Sequence, residues 1–184
     1  MVLDGLEPLQ NPPGPQEGRI REDDLTTKAK GMDPRSFFEF LLEQQPHLLN
    51  DVQVNVLANA GVYTRPPDSG DLAAALKVAR EMSVIGVVEL FDESLVAAEY
   101  FLRPAFPAIR FEYIAQNVSP GAGFQFREEV GDAIYLQLQE MNRLDGELIS
   151  WACGEVRRRF RLIPDAPGKL AAFRGRRAAL RRRS

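Results

Sequence analysis

Arg103, Arg110 and Arg127 stand on either side of the Gly- and Pro-containing tract NVSPGAGF at positions 117–124. A guanidinium is a planar fork that grips phosphate or sulfate through two hydrogen bonds at once, and a loop of this composition can wrap a ligand. The chemistry these residue types could do together is recognition of an anion. Taken unaided, such arginines are ordinary surface residues. The pattern GxxxxGK[ST] occurs nowhere, so the tract is not a P-loop. The sequon Asn117-Val118-Ser119 is followed by Pro120 and matters only in a secreted protein.

The remaining candidates are weaker. His47 is the only histidine, placed in a loop after Pro46; its near-neutral pKa keeps it in view, although a solitary loop histidine reads as a bystander. Glu128 and Glu129 are adjacent, so on a helix they point about 100° apart and make no carboxylate pair. In a first helical turn the dipole accounts for them, as it does for Asp92 and Glu93. One cysteine, Cys153, excludes an internal disulfide and any multi-Cys zinc site, and one histidine excludes a His-based metal cluster. No nucleophile, base and acid assemble by residue type alone.

The elements that must position these residues follow from the patterning. Residues 1–31 are rich in Pro, Gly and charge and read as a loose leader. Asp33-Pro34 is a helix start, Phe37, Phe38, Phe40, Leu41 and Leu42 give the helix an apolar face, and Pro46 ends it. Residues 51–59 fit either a short helix or an alternating strand. Asp68 or Ser69 caps a helix over 71–82, with Leu72, Ala75, Leu76 and Ala79 on one face. Residues 84–88, Val-Ile-Gly-Val-Val, read as a buried strand that runs into a helix over 92–103, with Asp92 and Ser94 as capping candidates. A long connection follows over 104–127, with an extended piece at 109–113. Residues 128–160 read as a long helix broken near 142–145, where Asp145 could cap a second segment. Trp151 and Cys153 near its end read as packing residues.

At 184 residues and 45% apolar, the chain is long enough for one domain core, and no apolar run approaches the length of a transmembrane helix. No basic-then-apolar export leader opens the sequence, so the expected compartment is the cytoplasm. The net charge of −3 hides a split: residues 157–184 hold eleven Arg or Lys and one Asp, leaving twelve basic and 25 acidic residues in 1–156. A basic tail on an acidic body can reach nucleic acid, acidic lipid or an acidic face of its own body, or fray into solvent. Without interleaved aromatics the frayed tail is the expectation, and the acidic body makes nucleic acid the least favoured partner.

Several segments, taken in order, resemble the carbohydrate sulfotransferases of the heparan sulfate 2-O-sulfotransferase-like branch. They are SFFEFL, DVQVNVLANAG, DLAAALKVAREMSVIGVVELFDESLVAAEYFL, NVSPG and MNRLDGELISWACGEVRRRF, together spanning about residues 36–160. The stretch at 84–95 is similar to the family's strand-to-helix signature, which Glu89, Asp92 and Ser94 match; these read as capping rather than catalytic positions. Trp151 stands where the family usually has Tyr.

The resemblance implies an α/β fold, a partial P-loop-like sulfotransferase that is helix-rich with few strands. It implies transfer of a sulfuryl group from 3′-phosphoadenosine-5′-phosphosulfate (PAPS) to a carbohydrate hydroxyl. The family's donor loop, 3′-phosphate grip and general base precede the matched region and have no counterpart in residues 1–31. The expectation is therefore the C-terminal portion of such an enzyme, with a leader at 1–31, a sulfotransferase-like part at 32–163 and a basic tail at 164–184. Asn117, Ser119, Arg127 and Arg110 are the candidate cofactor contacts. No catalytic residue and no metal are assigned. The partners are a glycan acceptor, with self-association or a completing partner chain. The alternative is a non-enzymatic interaction module acting through the basic tail.

Overall fold

The structure, a computed structural model, describes residues 22–114 and 125–182, and these are rich in helix. Helix α1 (Glu22–Gly31) lies where the sequence suggests a loose leader. Lys28 and Lys30 suit its C-terminal dipole, and Lys28 Nζ sits 4.6 Å over the Phe40 ring of the next helix. Helix α2 (Pro34–Gln44) starts as expected. Asp33 caps it by accepting from the Ser36 backbone N–H at 3.1 Å and the Ser36 hydroxyl at 2.7 Å. Helix α3 (Val52–Asn59) settles the ambiguous stretch as helix. In α4 (Ser69–Glu81) Asp68 and Asp71 form a reciprocal capping box, and Leu72, Ala75 and Ala79 are buried as their spacing predicts.

The expected strand at 84–88 is not paired into a sheet, and no strand occurs among the described residues. The segment does run extended, with φ/ψ of −69°/127° at Met82 and −130°/144° at Val87. Its inward residues, Ile85 and Val87, pack on a helix through Ala152, Cys153 and Val156. Helix packing thus satisfies the alternation that the sequence suggests a sheet would use. Of the α/β expectation, the helix-rich character holds and the strands do not.

A short 3₁₀ turn, Val88–Leu90, leads into α5 (Phe91–Leu102). No side chain caps α5; instead Ser94 Oγ donates to the Leu90 carbonyl at 2.7 Å and accepts from the Val87 N–H at 3.2 Å. The junction is held from inside the helix rather than at its cap. The piece at 109–113 is irregular, not a strand.

The expected long C-terminal helix breaks twice. Helix α6 (Phe126–Val130) ends at Gly131, whose φ of +85° is costly for any residue with a side chain. Helix α7 (Asp132–Met141) ends at Asn142, whose amide donates to the Leu49 and Leu138 carbonyls. Helix α8 (Arg143–Arg161) follows, and α9 (Ala166–Arg181) folds the tail back onto the body. Among the described residues the tail is therefore a packed helix rather than a frayed end. Phe173, at 1% exposure, supplies the apolar anchor that an Arg-rich run conceals.

Four apolar clusters hold these elements. The α3–α4 pair packs on the start of α8 through Val54, Leu72, Ala75, Leu144 and Leu148. Helices α2, α6 and α7 share Phe38, Leu42, Val130, Ile134 and Leu138. The extended segment rests on the middle of α8. Helix α9 covers α5 through Phe173, Ala166, Val96 and Ala97. Burying one such side chain contributes about 1.5–3 kcal/mol, so α9 is held by apolar contact as well as by charge.

Candidate functional site

The densest polar constellation lies where α9 crosses α5. Asp92, buried in the first turn of α5, accepts at Oδ1 from the Tyr113 hydroxyl at 2.8 Å and from Arg177 Nη1 at 2.7 Å. At Oδ2 it accepts from Arg174 Nε at 2.9 Å. Arg177 also donates to the Tyr113 hydroxyl, with its guanidinium over that ring. Two turns along α5, Glu99 accepts from Arg176 through both oxygens at 3.0 Å and from the Phe111 backbone N–H at 3.2 Å. Glu112 stands 3.6 Å from Arg176 Nε and 3.2 Å from Arg110.

Electrostatics make this cluster a clasp rather than a reactive centre. Burial pushes the Asp92 carboxyl up, but the hydrogen bonds from Arg174 and Tyr113, with the Arg177 charge, outweigh it and hold the group below the usual carboxylate range. Burial, together with the carboxylate of Asp92, raises the Tyr113 phenol above its ordinary value. A carboxylate with three donors on it is a poor base, and a phenol held protonated is a poor nucleophile.

The residues singled out for anion recognition fall in different places. Asn117 and Ser119 lie outside the described residues. Arg127, on α6, is exposed, donates to Asp132 at 2.6 Å and stacks over Tyr135. Arg110 pairs with Glu112 at the rim of the clasp. The two arginines belong to separate packing neighbourhoods, α6–α7 and α5–α9, and no contact joins them among the described residues. Arg103 is different: with Lys169 and Arg176 it lines a depression of about 140 Å³ that also takes in Glu99. Three cations around one carboxylate is the most anion-favouring concavity of the clasp. Sequence reasoning missed it because Lys169 and Arg176 arrive from the tail.

Glu89, Asp92 and Ser94 divide their roles. Ser94 ties the extended segment to α5, Asp92 anchors α9, and Glu89 is exposed with no ion pair among the described residues. His47 lies 5.8 Å from the Tyr63 ring, beside a cavity of about 310 Å³ that Gln45 and Asn55 also line. No group of His, Cys, Asp and Glu fit to hold a metal occurs among the described residues. No helix there is long and apolar enough to cross a membrane.

The second polar feature is the free edge of the extended segment. Arg159 pins one end, donating to the Ser83 carbonyl at 2.9 Å and the Met82 carbonyl at 3.1 Å while itself held by Glu155. Outward from it stand Val84 and Val88, the latter 86% exposed. The sequence marked this stretch as a strand, and its unpaired edge is what remains of that expectation.

Compared with protein-family models, with curated proteins and with solved structures, the chain has no match.

Proposed function

We propose that the chain is a non-catalytic interaction module that engages another polypeptide along its extended segment, residues 82–87. The observation that carries this reading is the segment itself. It has a strand's inward and outward alternation, with Val84 on its open face and Val88 exposed in the turn just beyond, and the backbone groups of Val84 and Gly86 have no partner among the described residues. Such an edge is a template for strand addition, with main-chain hydrogen bonds for affinity and alternate side chains for selectivity. The clasp points the same way, because its arginines are committed to Asp92, Glu93 and Glu99.

A second reading keeps the sulfotransferase resemblance: a polypeptide that transfers a sulfuryl group from PAPS to a carbohydrate hydroxyl once another chain completes it. The depression lined by Arg103, Lys169 and Arg176 supports it, since PAPS carries phosphate and sulfate groups that such cations would hold.

Two measurements on the full chain separate the readings. In the first, a synthetic Thr-Val-Thr-Val-Thr-Val peptide is added and backbone amide exchange is followed; the interaction reading expects slowed exchange at Val84 and Gly86, and unchanged exchange there overturns it. In the second, the chain is titrated calorimetrically with 3′-phosphoadenosine-5′-phosphate. No saturable heat is expected; saturable binding that Arg103→Ala abolishes would favour the sulfotransferase reading instead.

A further inference from the structure

The cavity of about 310 Å³ beside His47 lies where α1, the turn after α2 and α3 meet, outside both the clasp and the extended segment. Two of its walls are carboxamides. Gln45 closes α2 ahead of Pro46; its backbone N–H donates to the Leu41 carbonyl, and its own carbonyl accepts from the Leu48 N–H. The main chain there is used up. The side-chain amide, on a residue at 4% exposure, makes no hydrogen bond among the described residues. Asn55, at 6% exposure on α3, has one end of its amide taken by Asn59 at 3.2 Å and the other end open among the described residues. Ala60 and Gly61, both at positive φ, turn the chain back after α3, and Tyr63 beyond them lines the same cavity.

Buried carboxamides are normally paired, because an unpaired one loses its water without recompense. An apolar side chain at position 45 would avoid that cost. Two open amide ends on one cavity are therefore recognition groups, whose partners come from outside the fold.

We infer that this cavity binds a neutral heteroaromatic ring that carries a carboxamide or lactam edge. The inference goes beyond the strand-edge reading and does not depend on it. The lining selects the class. Among the described residues no Asp, Glu, Lys or Arg lines the cavity, so a charged ligand would shed its water with no countercharge to meet it. Burial raises the Tyr63 phenol above its ordinary value, which keeps that wall uncharged as well. Each carboxamide sets a donor beside an acceptor, and the group that answers both at once has an acceptor beside a donor. Leu48, Val52 and Val56 give an apolar wall, and the His47 and Tyr63 rings, 5.8 Å apart, an aromatic one. A flat ring covers such side chains as it enters.

Size narrows the class further. Small-molecule sites run from about 300 to 1,000 Å³, and this cavity stands at the small end, with room for one substituted ring. The phosphates of 3′-phosphoadenosine-5′-phosphate would meet no cation here, which separates this cavity from the depression lined by Arg103, Lys169 and Arg176.

Two-dimensional NMR of the full chain, titrated with nicotinamide and with uracil, tests the assignment. Saturable shifts of the Gln45 side-chain amide and the Gly61 backbone amide are expected with at least one of them. Nicotinate, the same ring with a carboxylate in place of the amide, should produce none. Gln45→Met keeps an unbranched side chain of similar length without donor or acceptor. It should weaken binding, read at Gly61, by about tenfold or more, and should leave the urea midpoint unchanged or raise it, because an unpaired buried amide has been removed. An amide that serves only the fold would give the opposite sign, a lowered midpoint. The assignment is overturned if neither probe gives saturable shifts, if nicotinate binds as well as nicotinamide, or if Gln45→Met either binds like the parent or lowers the midpoint. None of these results touches the reading of residues 82–87, whose peptide test is read at Val84 and Gly86.

Discussion

Two acid-rich contacts in this molecule use the same residue type in opposite ways. In the α5–α9 clasp, Asp92 and Glu99 are answered by arginine side chains and a tyrosine hydroxyl. Where α3 meets α8, two aspartates are answered by backbone alone. Asp51 precedes α3 and accepts from the Asp145 N–H of α8 at 2.8 Å, while Asp145 accepts from the Val54 and Gln53 N–H groups of α3 at 2.7 and 2.9 Å. Each helix start is capped by the carboxylate of the other, 94 residues away in sequence. To aim its carboxylate across, Asp51 adopts a left-handed backbone with φ of 43°, which costs about 1 kcal/mol or more. One contact joins elements by mobile charge; the other joins them by fixed dipoles. Fixed dipoles should be the harder to replace.

The largest expected effect tests that directly. Asp145→Ala strands two helix-terminal N–H groups of α3, one of them buried, and should lower unfolding free energy by about 3 kcal/mol in urea denaturation. Asp145→Asn, which keeps one acceptor oxygen, should recover part of the loss. An Asp145→Ala protein as stable as the parent would erase the distinction between the two contacts.

A smaller loss, about 2 kcal/mol, is expected for Asp92→Ala, which leaves Arg174, Arg177 and Tyr113 without their shared acceptor. The two sites should part company in salt. At 1 M ionic strength the screening length is about 3 Å, so amide exchange in α9 should quicken while that of Gln53 and Val54 does not. Equal responses at both places would mean the clasp is held by Phe173 and its apolar neighbours alone.

The subtlest contrast is in pH. Asp92 and Glu155, whose carboxyl is held down to about 2 chiefly by its hydrogen bond from Arg158, are depressed in the folded protein. Their stabilisation is present above the ordinary carboxylate range and fades as pH falls, for Glu155 between 4.5 and about 2. Asp51 is raised by burial and by the Asp145 charge, so its contribution has the other sign: it is fully present below the ordinary value of 3.8 and fades as pH rises through the higher folded value. Acidification should therefore loosen α9 and the Arg159-pinned segment before it loosens the α3–α8 junction. Exchange rates at those places between pH 5 and pH 2, on the order of the carboxylate range, check the order of events.

The same contrast explains what the sequence disclosed. Asp33-Pro34 and Asp68 are local signals, each read within four residues, and both helix starts are where the pattern puts them. Asp145 reads as a cap for its own helix, and no local pattern shows that it and Asp51 each serve the other's helix. The tail misled for a related reason. Its arginines dominate the composition, while Phe173 gains meaning only against Val96 and Ala97 of α5. At 84–88 the alternation correctly marked an extended backbone, but alternation is silent about what covers it, and here a helix does. Of the residues considered for anion recognition, Arg103 and Arg110 lie by the α5–α9 contact, and nothing local in the sequence brings Lys169 and Arg176 beside Arg103.

Cys153 has a practical consequence. It is the chain's only thiol, and it lies buried at 9% exposure between Val87 and Val156, directly beneath the extended segment. A thiol reagent reaches it only when that segment lifts from α8. The labelling rate of the unaltered protein is thus a clock for local opening at the very edge where another strand would add, and anything seated there should slow it.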